Sequence, residues 1–216
     1  MTIRSWIIGK LQDEYTIHPI GQHGLQIERW VRPTAFVYCV ESGTDWFTTA
    51  DLNLAHQEMP SVEFVVLVKR QAESEAYELA DELGICLSTF GELKSALAED
   101  VNIAEHLSRE QAYVLSRLGN NRHVDGLRRR GAAVYEISRV GALSTLNIVT
   151  VDHYELTSDE VYTLLDRNDN VDLDVIVNTN PNCRGFADEV SKAAEHAGVR
   201  VLTFNEFLND LGKEWA

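Results

Sequence analysis

The sequence predicts an α/β protein built from two tandem copies of one unit, residues 1–100 and 101–216, each a mixed β-sheet flanked by helices. Three observations predict it. An internal repeat runs through both halves, short β-branched runs alternate with segments of helical period, and threonine and glycine mark helix ends at matching places.

The repeat is clearest late in each copy. At an offset of 114, Ala80, Gly84, Thr89, Phe90 and Glu92 match Ala194, Gly198, Thr203, Phe204 and Glu206, and Leu97 matches Leu211. Upstream, Glu63-Phe64-Val65-Val66 parallels Asp174-Val175-Ile176-Val177 at 111. Further back, Thr48-Thr49-Ala50-Asp51-Leu52 parallels Thr157-Ser158-Asp159-Glu160-Val161 at 109. The offset changes only between elements, as loops of unequal length require.

The elements follow in order. Apolar spacing predicts opening helices near 2–12 and 109–118, with Ile3, Trp6, Ile7 and Leu11 on one face of the first. Strands follow at 34–40 in copy one and at 132–138 and 146–152 in copy two, within an overall order of helix, strand pair and strand. Thr48 or Thr49, and Thr157 or Ser158, are N-cap residues with acidic groups in the next turn, so a helix begins there. The runs 63–68 and 173–178 read as buried strands. Amphipathic helices come next, carrying Ala76, Leu79, Ala80 and Leu83, and Phe186, Val190, Ala193, Ala194 and Ala197. Gly84 and Gly198 end them, because glycine enters the left-handed region at little cost. Strands at 85–88 and 199–203 and closing helices at 91–97 and 205–211 complete the units.

Charge narrows the function classes. The formal net charge is −15, and 5 of the 19 basic residues are lysine. Residues 1–100 hold 7 basic and 16 acidic side chains, and residues 151–216 hold 5 and 14. Only residues 101–150 reverse the sign, with 7 arginines against 4 acidic groups. Such a field repels nucleic acid everywhere except that middle stretch. The longest apolar runs, such as 64–68, are far short of a membrane span. The first eleven residues lack the apolar core of a signal peptide, so the expected location is cytoplasmic, with no membrane contact. Cys39 and Cys86 sit in apolar strand-like runs and are expected buried, whereas Cys183 sits in a polar turn. No spacing among the three suggests zinc.

The order of elements, with Gly131-Ala132-Ala133-Val134-Tyr135-Glu136, Asn147-Ile148-Val149-Thr150-Val151, Val175-Ile176-Val177-Asn178-Thr179 and Gly198-Val199-Arg200-Val201-Leu202, resembles the Mrr-type restriction-endonuclease domain. The likeness covers about 109–211, and more faintly 25–97. It implies a restriction-endonuclease-like fold in each copy. Enzymes of that family hold Mg²⁺ through an Asp and a Glu or Gln on adjacent strands, with a Lys two positions after the latter. Here the pair falls on Thr150 and Asp152, and no lysine lies between Lys94 and Lys192 or between Lys10 and Lys69. The expectation is a non-catalytic protein without a cofactor, acting through a protein partner or through DNA, with a homodimer also open. An active Mg²⁺-dependent nuclease using Glu136 and Asp152, or an acidic mimic of DNA, are the alternatives.

The basic candidates for nucleic acid are Arg122, Arg128, Arg129, Arg130 and Arg139, with His123 among them. Read as a helix, three consecutive arginines fan out and do not share one face, so internal pairing with acidic groups competes with phosphate binding. Two more polar stretches draw notice: Asp152-His153-Tyr154-Glu155, and the turn from Asn178 to Gly185. An ordinary strand end and an ordinary loop explain both. Trp6, Trp30, Trp46 and Trp215 are too scattered to form a stacking platform.

Overall fold

A computed structural model of the chain describes residues 1–215. Two compact units divide it, Met1–His106 and a second from Leu107 onward. The first runs α1 (Ile3–Leu11), β1 (Thr16–Ile20), β2 (Gly24–Arg29), β3 (Arg32–Cys39), α2 (Thr49–Glu58), β4 (Phe64–Leu67), α3 (Ser74–Leu83), β5 (Cys86–Thr89) and α4 (Phe90–Glu99). After a 3-10 turn (Ile103–Glu105), the second repeats the order: α5 (Arg109–Gly119), β6 (Val124–Arg129), β7 (Val134–Arg139), β8 (Leu146–Val151), α6 (Ser158–Arg167), β9 (Val175–Asn178), α7 (Asp188–His196), β10 (Arg200–Thr203) and α8 (Phe204–Asp210).

Each unit holds one five-stranded mixed sheet, β1-β2-β3-β4-β5 or β6-β7-β8-β9-β10 in spatial order. The first three strands of each are antiparallel and the last two join in parallel. β4 and β9 are buried at every position, which explains their apolar runs, Phe64-Val65-Val66-Leu67 and Val175-Ile176-Val177. Helices cover both faces. In the first unit Ile7, Leu11, Leu93 and Leu97 pack on Leu25, Ile27, Val37, Cys39 and Phe64, while Leu52, Ala55, Ala76 and Ala80 pack on Tyr38, Val65 and Leu87. The second unit matches it, with Val114, Leu118, Phe204 and Phe207 on one face and Val161, Val190 and Ala194 on the other.

The two units also reuse the same local devices. Thr48 with Asp51 and Thr157 with Glu160 form reciprocal capping boxes, and Thr89 and Thr203 cap α4 and α8. Glu63 accepts a hydrogen bond from the Phe36 amide at 2.8 Å and returns its own amide to the Phe36 carbonyl at 2.9 Å. Asp174 does the same with Asn147, at 2.7 and 2.8 Å. An acidic residue thus locks the first parallel pairing in each sheet.

Gly84 and Gly198 follow α3 and α7 with φ of +67° and +74°. A Cβ at either site would meet nothing within 4 Å, so the cost of a side chain there is backbone strain alone. Gly84→Ala and Gly198→Ala are each expected to lower stability by about 1 kcal/mol in denaturant titration. An unchanged midpoint would remove the strain argument.

Three strands lie where the residues form no clear apolar run. β1, β2 and β6 carry His18 and Pro19, Gln26, and Asp125 with Arg128, polar groups tolerated on strands of the exposed antiparallel side. The arginine run is therefore part of a strand and the turn after it, and the helical reading of it is corrected. Cys39 and Cys86 are buried and Cys183 is half-buried, and the Cys86 thiol donates to the His106 carbonyl at 3.8 Å. No helix among the described residues is long and apolar enough to cross a membrane.

Candidate functional site

The arginine segment occupies β6 and its flanks, on the outer edge of the second sheet. Side chains alternate along a strand, so the register assigns their faces. Arg128 lies opposite Glu136, and Arg129 opposite Tyr135. The two arginines therefore point to opposite faces, Arg128 exposed and Arg129 half-buried with its Nε donating to the Gly131 carbonyl at 3.0 Å. Arg130 is half-buried beyond the strand, its amide bound to the Val134 carbonyl at 2.8 Å. Arg122 is exposed and donates to His123 Nε2 at 3.1 Å.

Arg139 leaves the basic set altogether. It is 4% exposed, and its guanidinium donates to the carbonyls of Ser144 (2.6 Å), Leu211 (3.3 Å) and Lys213 (2.7 Å) and to Ser144 Oγ (2.9 Å). Its counterpart in the first unit is Arg29, 8% exposed, which donates to the carbonyls of Pro33, Asp100 and Val101 at 2.7 to 2.9 Å. Each arginine ends the second strand of its sheet and ties it to the chain after the closing helix. Burial lowers the pKa of both. The partners are main-chain carbonyls, so the internal pairing expected with acidic groups takes a different form at Arg139.

The sheet face toward α5 is where the resemblance would place metal-binding groups. There Tyr135 and Ile137 of β7 stand beside Ile148 of β8, packed with Val114 and Leu118. Thr150, next on that face, is 4% exposed and donates to the Ala133 carbonyl at 3.4 Å. The matching residues of the first unit are Leu25, Ile27, Val37 and Cys39, all fully buried. Tyr135 is 1% exposed, and its hydroxyl has no hydrogen-bond partner among the described residues. Burial pushes its phenol up to about 12, against a downward pull from Arg129 and with a further push from Glu110. Glu110, in the first turn of α5, accepts from Thr179 Oγ1 at 2.9 Å.

Glu136 and Asp152 do not converge. Glu136 sits opposite Asn147, and Asp152 lies five residues further along that chain, roughly 16 Å away in an extended strand. They do not suit a shared Mg²⁺, and no group of three metal-capable side chains occurs among the described residues.

Other polar groups are brought together in ways the sequence did not announce. Asn178, fully buried, donates to the His153 carbonyl at 2.8 Å and accepts from the amides of His153 (3.3 Å) and Asn180 (3.1 Å). The strand end at Asp152–Glu155 and the 178–185 turn are thus neighbours, stitched by one amide. His153 lies 3.1 Å from Glu160, whose carboxyl is held below its ordinary value by the Thr157 amide and hydroxyl and by His153, against the upward pull of burial. In the first unit Glu58 accepts from Tyr38 (2.9 Å) and from the amides of Gln22 and His23 (3.0 and 3.3 Å), with His23 Nδ1 at 3.2 Å. Burial would raise the Glu58 carboxyl, but these donors outweigh it and lower it. The cluster fastens the β1–β2 turn to the end of α2. In both places the polar atoms satisfy one another.

Comparison with known proteins finds no match to a family model, to a curated protein or to a solved structure.

Proposed function

We propose that the chain is a tandem restriction-endonuclease-like protein that has given up catalysis and acts by binding a protein partner in a DNA-processing or defence system. One observation carries this reading. In each unit the face that would hold carboxylates and a lysine is packed instead with aliphatic, thiol or hydroxyl side chains: Leu25, Ile27, Val37 and Cys39, and Tyr135, Ile137, Ile148 and Thr150. The strand order of each sheet, three antiparallel strands and then two parallel ones joined through helices, agrees with it. The net charge of −15 favours a protein partner over DNA, since a phosphate backbone must overcome that field before contact.

The test is incubation with duplex and single-stranded DNA in Mg²⁺ or Mn²⁺. The expected result is no cleavage. Metal-dependent turnover that disappears in Asp152→Ala would overturn the proposal. DNA retention is measured beside it. If phosphate contact occurs, replacing Arg128, Arg129 and Arg130 by alanine should weaken it, with the salt slope falling by about one per lost contact. Because Arg128 and Arg129 face opposite ways, that fall is expected to stay below about two.

A further inference from the structure

We infer that His106 is a proton-operated latch. Protonated, it draws Glu92 away from the start of α4 and fastens the strap 100–106 to that helix. On losing a proton it releases Glu92, which then closes the cap of α4. This inference stands apart from the binding reading above.

The strap leaves the end of α4 and returns to its first turn. Arg29 of β2 holds its start through the Asp100 and Val101 carbonyls, and Ile103 anchors its middle in the core. Its end is His106, 8% exposed, with Nδ1 2.5 Å from the Asp100 carboxylate and Nε2 2.8 Å from that of Glu92. An ionised carboxylate accepts and does not donate, so this arrangement is complete only with a proton on each ring nitrogen. Around the ring stand Phe64 of β4, at 6.5 Å, and the Cys86 thiol of β5, which donates to the His106 carbonyl. Glu105, on the strap itself, accepts from Asn102 instead.

The first turn of α4 shows what the latch displaces. In α2, α6 and α8 the acidic residue three positions after the capping threonine accepts from that threonine's amide, closing a reciprocal box. Glu206 of α8, the repeat counterpart of Glu92, does so with Thr203 at 2.9 Å. In α4 only half of the box is present: Thr89 Oγ1 accepts from the Glu92 amide, but no bond from the Thr89 amide to the Glu92 carboxylate occurs among the described residues. A neighbouring histidine alone does not open a box. Glu160 keeps Thr157 on one oxygen and meets His153, 40% exposed, with the other. His106 differs in being buried and pinned on its far side by Asp100, so Glu92 must come to the ring.

A neutral ring has one N–H and can serve one carboxylate. Glu92 is the one with an alternative donor, the Thr89 amide, which its counterpart already uses. The latch is therefore closed in acid and opens as pH rises, and histidine is the side chain whose charge ordinarily changes near neutrality. Arg29 and Ile103 keep the rest of the strap in place, so only its end is freed. That end passes the chain to the second unit, so the proton sets how firmly the first unit holds it.

Solution NMR of the full chain across pH tests this. In acid both His106 ring nitrogens should carry a proton. As one is lost, the Thr89 amide should shift with the same midpoint, while the Thr203 amide, already in a closed box, stays put. Exchange of the Thr89 amide, corrected for its intrinsic rate, should slow by about fivefold, the effect of one added cap bond. His106→Gln should hold Thr89 in its high-pH state throughout, and Glu92→Gln should uncouple the Thr89 shift from the His106 titration. A Thr89 amide that ignores the His106 titration, that moves together with Thr203, or that still titrates in both variants would overturn the inference.

Discussion

Arg139→Met is expected to lower the stability of the second unit by about 3 kcal/mol. The substitution keeps an apolar stem of similar length but withdraws the donors to three main-chain carbonyls and one hydroxyl. Buried acceptors left without donors cost about 1–3 kcal/mol each where water does not reach them, and partial rehydration keeps the total near the lower end. Arg139→Lys should recover little, because a single ammonium does not replace a fork that donates in several directions. Arg29→Met should give a similar loss in the first unit, where the carbonyls of Pro33, Asp100 and Val101 lose their donor. Denaturant titration of the variants measures this. A loss below about 1 kcal/mol in both would mean that water takes over the carbonyls, and that the arginines are not structural clamps.

Tyr135→Phe should move stability the other way, upward by about 1 kcal/mol. The phenol is buried on the α5 side of the sheet and its hydroxyl meets no partner among the described residues, so removing the oxygen removes a desolvation cost without opening a cavity. The same substitution should alter the alkaline limb. In the folded chain the phenol is raised to about 12 from an ordinary value of 10, so the folded state keeps this proton while the unfolded state loses it. Stability from this group is therefore complete below pH 10 and is lost as pH rises from about 10 to 12. The phenylalanine variant should lack that part of the decline. A destabilised variant would show instead that the hydroxyl holds a bridging water.

The layered architecture was largely legible in the sequence, because strands buried on both faces leave short apolar runs rich in valine and isoleucine, and threonine caps mark helix starts. β4, β9, α2 and α6 were found that way. The outer strands were not, since a strand with one wet side and an open edge carries residues such as Pro19, Asp125 and Arg128 that read as loop or helix. The site was less legible. An arginine bound to main-chain carbonyls has no acidic partner to betray it, so Arg139 read as a surface cation. One signal was present: Arg29 stands 110 residues before Arg139, within the range of offsets that link the other repeated blocks. The Asn178 amide and its partner His153 are 25 residues apart and belong to no shared pattern, so only the folded chain joins them.

The matched pair of arginines also dates itself. Most side chains around them differ between the halves, yet each guanidinium ends the second strand of its sheet and reaches the chain just past the closing helix. The simplest history is a single ancestral unit that already possessed this arginine and was then copied in tandem. Drift since has rewritten the outer strands separately, leaving a proline on one and none on the other.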